Sequence, residues 1–484
     1  MKTLTFLLAF AIVFSAILLP AVAQESGTDH LQLGVQRYRA SDLDGAVREL
    51  KAAIKESPKD PQALNWLGFV YIKMGQPSDA IPLLEKAVSV SSKMADAYNN
   101  LGNAYVATGR VTDAIGAYEK AVDIAPSIPG PHYNLGNLYM KTHRTDDAVT
   151  QYKAAADLSP KDSSVLNNLG HAYYVKGDWD DSVEAYTKAV DVSPKDSVLL
   201  MNLGIALAKS GNKEKSADAL RKSIDMNPSG YLARLALGDA YAGLGQNDSA
   251  IEQYRAASDL KPAEFEPHHN LAILYAKSGN GLLAVTESKR ALEIKPGDAS
   301  LVNNLGWIYF SQGRFEPARQ EFEKAVRMNK DFAVAHSNLA LTYQKEGQVQ
   351  KAAAQWREVQ RINPKSTIAA VSLGNIEYTS HQYTPAAAQY KRALKIDFQN
   401  FNALNGLGLI AERSGKLDEA VRRYSEAVKA NPKFAIGYNN LGVAYERQGK
   451  QAKALEAYKK ALELDPQYHD AKKNLSRLSQ SEAK

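Results

Sequence analysis

The sequence predicts an all-α protein, an α-solenoid of about thirteen helix–turn–helix repeats closed by a C-terminal capping helix. Two observations predict it. The stretch Asn99-Asn100-Leu101-Gly102-Asn103-Ala104-Tyr105 recurs 34 residues later as Tyr133-Asn134-Leu135-Gly136-Asn137-Leu138-Tyr139, and again as Asn167-Asn168-Leu169-Gly170-His171-Ala172-Tyr173. From Gly27 to Tyr468 there are 442 residues, thirteen periods of 34 without insertion or deletion. One globular core would be unusually large for 484 residues. A repeat array, in which each unit touches only its neighbours, accommodates that length.

Each repeat is numbered here from 1 to 34, beginning at Gly27, Pro61, Ala95 and so on. Position 7 is Leu in all thirteen copies; position 8 is Gly in eleven, with Ala272 and Ala340 as the exceptions. Position 20 is Ala in eleven, position 27 is Ala in eleven and position 32 is Pro in ten. Leu at 7 and the aromatic at 11 (Tyr71, Tyr105, Tyr139, Tyr173) lie one turn apart on one helical face. Small residues at 8, 20 and 27 let two helices approach closely. A second aromatic at 24 (Tyr118, Tyr152, Phe322, Trp356) fills space between neighbouring pairs. Gly at 15 suits a left-handed cap ending the first helix, A, and Pro at 32 ends the second, B. Repeat 1 departs with Arg37 at position 11, repeat 6 with Leu207 and Leu220 at both aromatic positions, and repeat 11 with Glu377, His381 and Phe398. Repeats 6 and 11 read as weaker joints.

A 34-residue period with these residues resembles the tetratricopeptide (TPR) repeat over about nine-tenths of the chain. The resemblance implies a right-handed superhelix whose A helices line the concave face. The array is also similar to the TPR arm of the O-linked N-acetylglucosamine transferases, where asparagines along that face grip extended polypeptide. The transferase domain itself is absent from this chain. Past Tyr468, His469–Leu478 keeps the register and reads as the capping helix, followed by a frayed tail at 479–484.

The first residues address the chain. Lys2, an apolar run from Leu4 to Leu19 and the triplet Ala21-Val22-Ala23 form a secretory leader with cleavage expected after Ala23. Retention as a membrane anchor is the alternative. No later apolar run reaches membrane length, so the mature chain is expected not to span a membrane and to lie in the periplasm or outside the cell. With no cysteine, disulfides, thiolate metal sites and cysteine nucleophiles are excluded. The formal charge of +6 is mild for this length and gives no stripe for nucleic acid.

Three patterns point to function. Position 6 is Asn in eight repeats, at Asn100, Asn134, Asn168, Asn202, Asn270, Asn304, Asn338 and Asn440. An amide both donates and accepts, which suits a peptide backbone whatever its side chains. These eight are the positions onto which the transferase resemblance carries peptide binding; local bonding between helices is the plainer alternative. Asn99 and Asn103 join them as residues that the packing does not require. Position 13 carries a cation in even repeats, at Lys73, Lys141, Lys209, Lys277, Lys345 and Arg413, suiting acidic peptide or anionic glycan; a favourable helix-dipole position is the alternative. Position 9 carries bulk at Phe69, His171, Ile205, Ile273, Trp307, Leu341 and Leu409, with Trp307 the best anchor.

No metal or other cofactor is expected. His132, His268 and His336 share position 4 in separate repeats, and adjacent His268 and His269 cannot face one ion. Position 5 is Lys in none of the thirteen repeats, against the carboxylate-clamp form of TPR domains. The expected function is a non-enzymatic protein-interaction scaffold, monomeric, binding protein or extended peptide along its A helices. The alternatives are a self-associating structural component of the envelope and a binder of anionic glycan.

Overall fold

The structure, a computed structural model, describes residues 29–482, and the expected leader lies outside the described residues. Those residues form helices joined by short turns, with no strand among them. Up to Leu464 the helices follow in thirteen pairs, each pair one period of the sequence; in repeat 9, helix A is Ala299–Ser311 and helix B is Phe315–Met328. The all-α solenoid is therefore as expected.

Local chemistry sets the ends of these helices. Position 34 supplies N-caps, as where Asp60, Asp162, Asp196 and Asp298 accept the first free backbone N–H groups of the following helix A. Position 15 is left-handed in every repeat, whatever its residue. Ten are glycines, and Ser41, His143 and His381 adopt φ of 60–62° at the same place. The sharp A-to-B turn demands this conformation, which costs a side-chain-bearing residue about 1–2 kcal/mol.

Packing within a pair depends on position 8. A Cβ added at Gly136 would lie 2.8 Å from the Tyr152 ring, and the same conflict joins Gly102 to Tyr118 and Gly442 to Tyr458. The aromatic at 24 thus rests chiefly on its own repeat's helix A. Tyr390 also reaches across the joint, within 2.4 Å of where a Cβ on Gly406 would be. Ala272 is accommodated because position 24 of that repeat is the small Ser288.

The helices group into two compact units, up to Lys261 and from Pro262 onward. The first contains seven pairs, from His30 to Leu260. Its core is continuous from Ala80 to Leu199, and Tyr105 and Tyr139 tie successive repeats by donating to Glu85 and Glu119 of the preceding helix B. Burial, and secondarily these carboxylates, pushes both phenols up to about 12.

The second unit contains six pairs, from Glu266 to Leu464, and a final helix, His469–Glu482. Leu475 and Leu478 of that helix pack on Ala454 and Tyr458, covering the last repeat's apolar face, and Arg477 donates to Glu446 from both terminal guanidinium nitrogens. The helix continues past Leu478, the end expected from the sequence, since no glycine or proline follows to stop it. Among the described residues no helix is long and apolar enough to cross a membrane.

Candidate functional site

Burial along one A helix defines its open face. In repeat 9, Leu301, Val302, Leu305, Gly306, Ile308 and Tyr309 are buried, whereas Ser300, Trp307 and Ser311 are exposed and Asn304 is half-buried. These four are positions 2, 6, 9 and 13, spaced by four, three and four residues, which places them on one stripe of the helix. Successive A helices of repeats 8, 9 and 10 touch, so their stripes adjoin to form a wall.

The position-6 asparagines occupy the corresponding stripe of their own A helices, and most of them bond to the preceding repeat of the same unit. Where position 5 is Asn (Asn65, Asn99, Asn167, Asn303, Asn405 and Asn439), the residue 35 further on is Asn at position 6 of the next unit. In all six pairs the later Nδ2 donates to the earlier Oδ1 at 2.9–3.0 Å, from Asn100, Asn134, Asn202, Asn338, Asn440 and Asn474. Asn168 lacks such a partner and donates instead to the Tyr133 hydroxyl at 3.1 Å and to Asn137 Oδ1 at 3.0 Å.

This corrects the reading of Asn99, Asn100 and Asn103 as free of packing duties. Asn99 and Asn103 accept from Asn134, at 2.9 and 3.4 Å, and Asn100 is buried with Asn65. Asn202 is likewise closed in, 2% exposed. A mid-helix asparagine is a poor helix former, and its presence here is accounted for by the amide–amide bond across the joint. The 35-residue pairing was the signal in the sequence that identifies these bonds.

Position 9 has a second use that explains its variety. Tyr118, Tyr152, Tyr254 and Tyr390 at position 24 donate their hydroxyls to Asn103, Asn137, Asp239 and Asn375 at position 9, at 2.6–2.8 Å. In repeats 12 and 13 the acceptors are Glu412 and Glu446, one turn later. Repeats 8, 9 and 10 have Ser288, Phe322 and Trp356 at position 24, with no phenol to satisfy. There position 9 is apolar and open: Ile273 is 37% exposed, Trp307 47% and Leu341 37%. Phe69, by contrast, is buried against Tyr38 and Trp66 and belongs to the core.

Trp307 is held in place. Its indole stacks on Phe310 with ring centres 5.3 Å apart and planes 13° from parallel, and Phe310 meets Phe315 edge-on at 5.4 Å. Asn304, one turn before Trp307, forms no hydrogen bond to another repeat among the described residues; its Oδ1 meets only Asn303 Nδ2, at 3.5 Å. Val334 and Ile368, at position 2 of the next two repeats, extend the apolar surface and are exposed. Val334, Ile368 and Phe310 carry no signal in the sequence, because positions 2 and 12 show no pattern along the whole array.

The position-13 cations Lys141, Lys209, Lys277 and Lys345 are all exposed in the last turn of their own A helices. Lys141, Lys277 and Lys345 have no ion-pair partner among the described residues, while burial raises the pKa of Asp239 and the nearby Lys209 offsets part of that rise. The position-4 histidines are packing groups. His132 and His336 each bridge a glutamine (Gln151, Gln355) and a backbone carbonyl, and His268 pairs with Glu287 at 2.6 Å.

Models of the tetratricopeptide repeat match residues 70–129, 133–197, 337–402 and 405–469, more than half of the chain. The chain belongs to the tetratricopeptide repeat family. Further TPR models match 37–83, 198–229, 238–279 and 306–347. As a TPR protein it is a protein–protein interaction scaffold. Similar solved structures include MamA, 30% identical, covering 34% of this chain and 95% of that one with a TM-score of 0.32. The APC/C hetero-tetramer Cut9–Hcn1 is 16% identical, with 93% and 89% covered and a TM-score of 0.38. YrrB, described as a TPR protein with an unusual peptide-binding site, is 23% identical, with 38% and 95% covered and a TM-score of 0.32. No curated protein sequence matches this TPR chain.

Proposed function

We propose that this TPR protein is an exported, non-enzymatic scaffold that holds an extended polypeptide segment along the open wall of its A helices. The observation that carries the reading is the orientation of the half-buried amides. Asn338 and Asn440 each spend one N–H on the preceding repeat, while Asn134 and Asn168 donate to two acceptors there and keep lone pairs of their oxygens open. A carboxamide has two N–H donors and an oxygen, so each retains groups to offer a peptide backbone. Because the bond across the joint already orients the side chain, less entropy is lost when it engages a ligand.

The leader at residues 1–23 supports delivery to the periplasm or the cell exterior. Mass measurement of the mature chain tests that part, with an N-terminus at Gln24 expected. Capture is tested by titrating the mature protein with a panel of unstructured peptides and with a sulfated glycan. Binding of peptides in the micromolar range, weakened by Asn168→Ala without loss of helical circular dichroism, is expected. A protein that binds only the glycan, or that polymerises with rising concentration in light scattering, sinks the proposal in favour of the glycan or structural reading.

A further inference from the structure

We infer that repeats 8–10 form the specificity-determining part of this wall, selecting an acidic extended segment with a large apolar side chain at every third residue. The inference rests on the capture reading above and adds the chemistry of the captured segment.

The wall is not uniform. In repeats 3 and 4 position 9 is Asn103 and Asn137, each accepting a tyrosine hydroxyl from its own helix B. In repeats 8, 9 and 10 that duty has lapsed, and Ile273, Trp307 and Leu341 stand exposed in consecutive copies of the same position. An exposed tryptophan stacked on a second aromatic has its rotamer settled before any partner arrives, which is how binding anchors gain affinity. Asn304 sits one turn from this indole with both N–H groups uncommitted to another repeat among the described residues. It can reach the backbone of a segment whose side chain rests on Trp307.

Geometry selects the spacing. Packed helices lie about 8–10 Å apart, and the A helices of repeats 8, 9 and 10 touch one another. A chain in the polyproline II conformation advances ~9 Å in three residues and then presents the same face. Apolar side chains at residues n, n+3 and n+6 therefore meet Ile273, Trp307 and Leu341 in turn. A β-strand, which repeats its face every second residue, falls out of step.

Charge selects the rest. One turn beyond the apolar row lie Lys277 and Lys345, with the neutral Ser311 between them, and neither lysine has an ion-pair partner among the described residues. Across positions 2, 6, 9 and 13 of these three repeats the one acidic residue is Glu266, at the far end of the stripe. A segment lying on the apolar row thus turns one edge towards two unneutralised cations, and carboxylates on that edge complement them.

The test uses the mature full chain and three fluorescent 13-residue peptides. The first has Leu at every third position with Asp between, the second has the same composition with its Leu residues at alternate positions in the middle of the peptide, and the third replaces Asp by Lys in the first. Fluorescence anisotropy is expected to show tightest binding by the first, weakening as salt rises. Trp307→Ala should cost at least tenfold in affinity. The Lys277→Glu, Lys345→Glu double variant should weaken the Asp peptide at least tenfold and strengthen the Lys peptide. Equal binding of Asp and Lys peptides, or indifference to Trp307→Ala, overturns the inference. If affinity falls with Asn168→Ala but not with Trp307→Ala, general capture stands and this assignment fails. No binding of any peptide refutes both.

Discussion

Asn134 donates its amide N–H to Asn99 at 2.9 Å, joining two A helices 35 residues apart in the chain. The pair is one of six such bonds across joints, three in each unit. Since both members are partly or fully closed to water, losing one leaves a polar group without its partner. Asn134→Ala should therefore cost roughly 1–2 kcal/mol in urea unfolding. Asn99→Ala should cost less once Asn134 is already Ala. A double-mutant cycle with no coupling between the two would show that the bond contributes nothing.

Gly136 is a packing residue and not merely a flexible one, because a methyl group there would meet the Tyr152 ring at 2.8 Å. The ring is wholly buried and has nowhere to retreat. Gly136→Ala should destabilise by about 1–3 kcal/mol, despite alanine's better helix propensity. Gly116, where an added Cβ meets nothing, is the control: Gly116→Ala should stabilise by up to about 1 kcal/mol. Thermal melts of the two variants moving in the same direction would contradict this account.

Glu377 stands at position 11, where nine of the thirteen repeats place tyrosine. It is 8% exposed, and its Oε2 is buried without a hydrogen bond. Burial raises its pKa above the ordinary carboxylate value. A group whose folded pKa is raised contributes stability below its unfolded pKa, and that contribution is lost as pH rises through the folded value. At neutral pH the buried group is therefore a burden, because the folded state disfavours its carboxylate. Glu377→Gln should raise the melting temperature at pH 7, with the difference shrinking at pH 4. An equal gain at both pH values would show that charge is not the cause.

Much of the fold was legible because each repeat faces nearly the same neighbours. Leu at 7 meets one environment thirteen times over, Gly at 8 and Ala at 20 eleven times, and repetition averages away local accident. The turn at position 15 shows the strength of that constraint, since Ser41, His143 and His381 accept a left-handed backbone that the glycine copies adopt freely. The interaction surface was legible only in part. Asn99 and Asn103 looked dispensable because their partners, Asn134 and Tyr118, lie 35 and 15 residues away, beyond the reach of a helical-face argument.

The periodicity, the all-α solenoid, the family resemblance and the helix that covers the last repeat follow from the order of residues alone. These depend on which residues recur at which spacing, and spacing is a property of the chain. Tertiary structure decided which asparagines are bound up in the joints, and why position 9 is polar in some repeats and apolar in others. It also decided that Trp307 stands open to solvent while Phe69, at the same position, does not. The physical reason is that burial and hydrogen-bond pairing belong to the space between helices. A side chain's freedom to bind depends on what its neighbours across that space already require of it.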